Sequence, residues 1–418
     1  MQQILNWTRR LVYPAAAILL ILAGYMVLAS PYTSKSDGKI LAVYDAESSV
    51  EDCDKARDMT PDKENVSSEA LAGFCRAVRA GNGPNVDPLN VHDELSNPSD
   101  IKTAKIYERL ASRVARGSTL GVISFLSSPD SAPVVRFCRT MEIPLLLTLA
   151  ANNDLLAPTE DTTGIVFRMM PNNGRQATDM AAWVNDQVHD RSGYRIAVFH
   201  EPNTYGEFLQ QRLNYDLRPN IREKGLILYN FEVTEELQFA GLLPQLMCEK
   251  IDLIVYLGYA SRAMDLLNKL RWYRADPDTV ACRAREASRR ESGNATFSNI
   301  KVLLSSGAYD DDLNDPLKYP FAFQIFALLP TRPPGGEMKK PSQAVAAPDG
   351  QESGAYEYGY DSYAVLQSLA AQKFSAPSQP LEHSMTGHDY RFDGNGELTP
   401  VKRNTYVAYP LGSSARKP

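Results

Sequence analysis

Residues Arg195–Gly206 read RIAVFHEPNTYG. The stretch is an apolar β-strand, Ile196–Phe199, then a polar turn, then Tyr205 and Gly206 opening a helix. Further on the unit returns as Asp252–Tyr259, DLIVYLGY, again a strand with a tyrosine at its carboxyl end. An upstream copy, Leu120–Ser128, LGVISFLSS, ends in two serines. In open α/β sheets ligands sit beyond the carboxyl ends of strands, where the strand order switches. Hydroxyl groups at three such ends mark a small-molecule cleft.

The same alternation runs along the chain. Apolar runs predict strands at Lys39–Tyr44, Asp87–His92, Gly121–Leu126 and Ile143–Leu149, with helical periodicity at Ser67–Arg79, Ile101–Arg116 and Ala132–Met141 between them. A second series places strands at Val166–Met169, Arg195–Phe199, Leu226–Phe231, Asp252–Leu257 and Lys301–Leu304. Its helices are Gln176–Val188, Gly206–Arg222, Ala240–Lys250 and Ala260–Trp272. Strands such as KILAVY are apolar through most of their length, as parallel strands covered on both faces must be. Strand–helix alternation implies parallel sheets with right-handed crossovers. Two series joined near Arg168 imply two lobes with a crevice between them.

Two stretches break the pattern. Arg274–Asn299 carries Arg274, Arg283, Arg285, Arg289 and Arg290, and reads as a surface insertion or a docking patch for an acidic partner. Residues 331–354 hold Pro-Pro-Gly-Gly and Lys-Lys-Pro, a flexible insertion by composition. Beyond them Tyr356–Ala371 is helical, with Tyr363, Leu366 and Leu369 at core spacing. Asp389–Phe392 and Thr405–Tyr409 are expected to pair as strands around FDGNGELTP.

A chain of 418 residues is too long for one ordinary core. Its net charge of −6 argues against nucleic acid as a partner, because phosphate contacts need concentrated Lys and Arg. None of the five cysteines falls in a CxxC or metal-binding spacing. Cys53 and Cys75 flank the first loop; a disulfide and two free thiols are both open readings there, since sequence supplies no Cα separation. No GxSxG, HExxH, GxxxxGK[ST] or GxGxxG occurs, so the commonest hydrolase, zinc-protease and nucleotide-binding motifs are missing. His92, His189, His200, His383 and His388 are scattered, and His200 beside Glu201 is the best acid/base pair on offer. No metal, cofactor or catalytic residue is expected.

The N-terminus bears on the compartment. Arg9 and Arg10 precede an uncharged run, Leu11 to Ser34, with the apolar heart AAAILLILAGYMVLA at Ala15–Ala29. Basic residues before such a run hold the N-terminus in the cytoplasm and send the rest outward. Leu11–Ala29 is close to the roughly 20 residues that span hydrocarbon, which favours an uncleaved transmembrane anchor. A cleaved signal, cut after Val27-Leu28-Ala29, is the other reading. Either way the body is extracytoplasmic: membrane-anchored, or released to the periplasm.

Four stretches, in this order and spacing, carry a resemblance to a family. They are VISFLSSPDSAP with EIPLLLTLAANNDLL; FRMMPNNGRQATDMAAW; RIAVFHEPNTYGEFL with DLIVYLGYASRAMDLLNKLR; and GYDSYAVLQSLAAQ with YRFDGNGELTPVKRNTYVAYPLG. Over roughly Lys39 to Leu411 the chain resembles the type I periplasmic binding proteins, in the branched-chain amino-acid (Leu/Ile/Val) receptor branch of ABC transporter substrate-binding proteins. The resemblance implies an α/β fold of two Rossmann-like lobes joined by three crossovers and preceded here by one N-terminal transmembrane helix. The expected division is 1–37 for the anchor or signal, 38–168 plus 328–389 for the first lobe, and 169–327 plus 390–412 for the second. It implies no enzyme, but capture of a small-molecule ligand by hinge closure and presentation to a membrane transporter or receptor partner.

Carried over residue by residue, the resemblance implies ligand contacts at Ser127 and Ser128, at Ala150 and Asn152, at Tyr205 and Tyr259, and at Ser306. Ser128 matches a serine at a helix start, where backbone N–H groups favour a carboxylate. Ser306 is a departure: the family's branched-chain receptors hold a carboxylate there for the ligand ammonium. Asp310, Asp311 and Asp312 lie just beyond and are open as substitutes or as a solvated loop. The first loop, Ala46–Asn65, departs completely, so aliphatic specificity is not implied. A membrane-tethered, ligand-sensing receptor ectodomain is the alternative function.

Overall fold

The computed structural model describes residues 38–47, 53, 66–81, 85–114, 119–156, 165–188, 192–234, 239–272, 300–308, 313, 323–330, 354–371, 390–393, 395–398 and 406–411. Within them β1 (Lys39–Tyr44), β2 (Val86–Asn90), β3 (Thr119–Ser124), β4 (Leu145–Leu147) and β5 (Val166–Arg168) form a parallel sheet in the order β2-β1-β3-β4-β5. The longer helices between them are α1 (Val66–Ala80), α2 (Ser99–Val114) and α3 (Ser128–Thr140), with a single turn at His92–Leu95 before α2. Side chains alternate across a strand, and both faces of β1 are buried. Ile40, Ala42 and Tyr44 pack with Phe74 and Phe125 on one side. Leu41 and Val43 pack with Ile106, Leu110 and Val134 on the other. Pro88 sits in β2 at the sheet edge, where a missing N–H is tolerated.

The second sheet comprises β6 (Arg195–His200), β7 (Ile227–Glu232), β8 (Leu253–Leu257), β9 (Lys301–Leu304), β10 (Gln324–Pro330) and β11 (Tyr406–Leu411). Its order is β11-β10-β9-β8-β6-β7, parallel except for the antiparallel pair of β10 and β11. The helices are α4 (Asn173–Val188), α5 (Thr204–Lys224), α6 (Phe239–Cys248) and α7 (Ala260–Trp272). Asn203 caps α5 by accepting the Gly206 N–H at 2.8 Å, and Gly225 ends it at φ 65°. Again both faces are covered, by Phe239, Leu266 and Leu267 on one side and by Met180, Leu209 and Leu213 on the other.

The chain passes between the sheets three times among the described residues: from β5 into α4, from β10 into α8 (Gly354–Ala371), and between Leu398 and β11. Helix α8 returns to the first sheet and crosses α1 closely. A Cβ on Gly359 would lie 1.9 Å from the Ala70 carbonyl oxygen.

The C-terminal expectations need correction. The strand at Tyr406–Leu411 pairs with β10, with Ile325 opposite Leu411, not with Asp389–Phe392. Phe392 bridges to Leu398 instead. Tyr390 and Phe392 belong to the first core, and the Phe392 ring meets Phe167 edge-on at 5.4 Å. The third passage therefore follows Leu398 rather than residue 389, and residues 328–330 belong to the second sheet. The run QIFALLP at β10 resembles any buried segment, and its partner is some eighty residues away in sequence, beyond the reach of a local pattern.

Cys53 and Cys75 form a disulfide, with Cα atoms 5.0 Å apart. Cys248 is also disulfide-bonded, and Cys138 is a buried free thiol. Among the described residues no helix is long and apolar enough to cross a membrane. The expected N-terminal anchor, most of the first loop, the Arg-rich insertion, the 331–354 insertion and Asp310–Asp312 lie outside the described residues.

Candidate functional site

Each sheet has one point where the strand order reverses: between β1 and β3 in the first, and between β6 and β8 in the second. The carboxyl end of β3 leads to Ser127 and Ser128, that of β6 to Tyr205, and that of β8 to Tyr259. Four of the seven residues anticipated from sequence, Ser127, Ser128, Tyr205 and Tyr259, thus follow strands at the two topological switch points, where α/β sheets leave room for a ligand, while Ala150 and Asn152 follow β4 and Ser306 follows β9.

On the first lobe, Ser127 precedes α3 and its hydroxyl donates to Asp130 Oδ2 at 2.7 Å. Asp130 also meets Lys102 Nζ at 3.0 Å. The Ser128 Oγ accepts the backbone N–H groups of Ala151 and Asn152, both at 3.0 Å. Its own hydroxyl hydrogen has no acceptor among the described residues. Asn152 caps a short turn, its Oδ1 accepting the Asp154 N–H at 2.9 Å. Ala150 departs from expectation: it is fully buried in the apolar cluster beneath this loop, so its methyl group faces the core.

On the second lobe, Tyr205 and Tyr259 stack with ring centroids 5.5 Å apart and planes 28° apart. The Tyr205 hydroxyl donates to Gln176 Oε1 at 2.9 Å and accepts the Gly307 N–H at 3.1 Å. Gln176 Nε2 donates to Ser306 Oγ, so Ser306 is part of this network. Tyr259 is 48% exposed, and its hydroxyl has no hydrogen-bond partner among the described residues. Burial pushes that hydroxyl up from its ordinary pKa, and the Tyr205 hydroxyl and the Glu201 and Asp130 carboxylates add to the shift.

Glu201 holds the Tyr259 turn. Its Oε1 accepts the Tyr259 N–H at 2.7 Å and the Tyr256 hydroxyl at 2.8 Å, while Oε2 accepts Asn203 Nδ2 at 2.8 Å. A side chain on Gly258 would collide with it, a Cβ falling 2.4 Å from Oε1. Ser305 completes the brace, bonding both the N–H and the carbonyl of Gly258. Glu201 is thereby committed to positioning and makes no hydrogen bond to His200.

Three residues of this region escape the sequence reading. Gln176 is fully buried, one turn inside α4, where a lone glutamine resembles any helix former. The fully buried Arg168 and the half-buried Glu397 form an ion pair at 3.4 Å, although 229 positions separate them. Their one local signal is an arginine within a strand otherwise read as apolar.

No protein-family model matches the chain, and no curated protein sequence does. Solved structures do match. The branched-chain amino-acid transporter substrate-binding protein LivJ from Streptococcus pneumoniae, in complex with isoleucine, is 14% identical, covering 90% of this chain and 95% of its own at TM-score 0.60. A solute-binding protein of an ABC transporter from Rhodopseudomonas palustris, in complex with 3,4-dihydroxybenzoic acid, is 13% identical, covering 91% and 99% at TM-score 0.57. A fatty acid ABC transporter substrate-binding protein from Thermomonospora curvata is 14% identical, covering 92% and 95% at TM-score 0.55. At these identities the likeness is one of fold. The chain has the type I periplasmic-binding-protein fold, as found in branched-chain amino-acid substrate-binding proteins, which is what the resemblance in sequence implied.

Proposed function

We propose that this chain is an extracytoplasmic solute-binding protein that closes on a small polar or amphipathic carboxylate and serves ABC-type uptake. The observation that carries the reading is the pairing of switch points: on one lobe a serine whose hydroxyl hydrogen has no acceptor among the described residues, and on the other a half-exposed tyrosine whose hydroxyl has no partner among them. Because Ser128 Oγ already accepts two N–H groups, its hydroxyl is left to donate. At the start of α3 that donor joins the positive end of a helix, which favours an anion by about 0.3–1 kcal/mol and more when partly buried. The Tyr259 ring offers an apolar face beside a polar tip. The bound partners of the similar structures, isoleucine and 3,4-dihydroxybenzoic acid, both carry a carboxyl group, which supports the same reading.

The mechanism is a population shift. A ligand touching both lobes binds the closed form better than the open one and draws the equilibrium toward closure. Titrating the purified chain with isoleucine, 3,4-dihydroxybenzoate and octanoate by calorimetry tests this, with small-angle scattering to follow closure. One of them should bind with about 8 kcal/mol, a micromolar Kd, and reduce the radius of gyration. Ser128→Ala and Tyr259→Ala should each weaken that binding at least tenfold. If all three are inert and native mass spectrometry finds no co-purified small molecule, the reading fails.

The neutral Ser306 and the apolar run at residues 11–34 favour a second reading, a tethered receptor ectodomain working with a membrane partner. Sequencing the mature N-terminus separates the two: an intact Met1 supports the tether, a start near Ser30 the mobile receptor.

A further inference from the structure

Arg168 is fully buried at the end of β5, and its guanidinium gathers three parts of the molecule. Nη1 donates to the Ala151 carbonyl at 2.9 Å, and Nη2 to the Asn152 carbonyl at 2.6 Å. Nη2 also lies 3.4 Å from Glu397 Oε1, in the turn that precedes the third passage between the lobes. Glu397 Oε2 accepts Asn172 Nδ2 at 3.4 Å, from the first passage. The backbone N–H of Arg168 donates to the Gly396 carbonyl at 3.0 Å. Meanwhile the N–H groups of Ala151 and Asn152 are held by Ser128 Oγ. Residues 151 and 152 are therefore gripped on both sides, by a hydroxyl at their amides and by a cation at their carbonyls.

We infer that Arg168 is a positioning residue for the ligand, setting the loop that orients Ser128 and Asn152, and that the charge on Glu397 sets how firmly it does so. The inference rests on the solute-trap reading and adds a link from hinge to ligand wall. A guanidinium can serve two carbonyls and a carboxylate in one plane; an ammonium cannot. An unpaired cation in this setting would be costly, so the clamp needs its carboxylate.

The groups facing the pair are few. Around Glu397 stand Arg168, Asn172 and Asp393; around Arg168 stand Glu397, Tyr406 and Asp154. Burial raises the Glu397 carboxyl above its ordinary range, the Arg168 charge and the Asn172 hydrogen bond draw it partly back, and Asp393 raises it further. The clamp therefore loosens as pH falls through the raised value. Fold stability runs the other way. A carboxyl with a raised folded pKa contributes stability that is fully present below its unfolded pKa and is lost as pH rises through the folded one. A purely structural role would thus not reproduce the pH profile of the clamp.

Hydrogen exchange of the ligand-free full chain across a pH series from 7.5 down to 4, corrected for intrinsic rates, tests this in wild type, Arg168→Lys and Glu397→Gln. The amides of Ala151 and Asn152 should exchange at least tenfold faster in both variants, while those of β6 and β8 stay unchanged. Wild type should lose the same local protection as pH falls through the raised carboxyl value, and Glu397→Gln should show no such pH dependence. Unaltered exchange at Ala151 and Asn152, or a uniform rise across both sheets, overturns the inference. Glu397→Gln keeps the size of the side chain and covers the case in which Arg168→Lys does not fold. These rates are read without ligand, so silence in the carboxylate titrations counts against the solute-trap reading alone.

Discussion

Hydroxyls and carboxylates at the ends of the strands are mostly engaged with one another. Tyr205 is saturated by Gln176 and Gly307, and Glu201 by Tyr256, Tyr259 and Asn203. That self-sufficiency keeps the walls in shape, because an unpaired buried polar group costs about 1–3 kcal/mol. It also separates the anticipated residues by their contacts: the Ser128 and Tyr259 hydroxyls have no acceptor among the described residues, whereas Tyr205 and Ser306 bond to Gln176. One more pair lies at the same edge of the first sheet. His92 Nδ1 is 2.7 Å from Asp45 Oδ1, beyond the ends of β2 and β1. Its hydrogen bond to Asp45 raises the imidazole above its ordinary pKa, and burial only partly offsets this. The imidazolium form is thus favoured until pH passes the raised value. A nuclear magnetic resonance titration should find His92 above 6.5 in the wild type and lower in Asp45→Asn; an unmoved midpoint would sever the pair. Residue types at the strand ends were readable in sequence, since a strand is local. Which of their atoms are already taken was not, because the partners come from other elements.

Elements were legible wherever one period ran long enough. The helices α4 and α7 and the strands β6, β8 and β9 stand within a few residues of their anticipated bounds, as expected when the apolar stripe and the caps agree. The crossing of α1 and α8 was not legible. It depends on Gly359 letting two backbones approach across nearly 290 positions of sequence. Gly359→Ala would set a methyl group against the Ala70 carbonyl, and overpacking of this kind costs about 1–3 kcal/mol or more. Chemical denaturation should register that loss, and a variant as stable as wild type would mean the helices can part freely. The edge pair β10–β11 teaches the same lesson: each strand is a short apolar run, and only their antiparallel register makes them a sheet margin.

The whole molecule is two sandwiches with separate cores, joined at three passages and fastened at one of them by Arg168. Separate cores predict separable unfolding. The Cys53–Cys75 disulfide spans 22 positions and lies against the first core, where a loop of that length is worth about 3 kcal/mol by the chain-entropy account. Cys53→Ser with Cys75→Ser should therefore shift the first-lobe transition in calorimetry and leave the second in place; a single transition moving as a whole would show one cooperative unit. The two-lobed α/β plan, and the residues placed at the carboxyl ends of its strands, follow from alternation along the chain, because hydrophobic periodicity and turn chemistry act over a few residues. The return of α8, the pairing of β11 with β10, the place of Phe392 in the first core and the clamp of Arg168 on Glu397 were decided only in three dimensions. Each joins residues that are distant in the chain, and the burial and desolvation that select them do not exist until the lobes are packed.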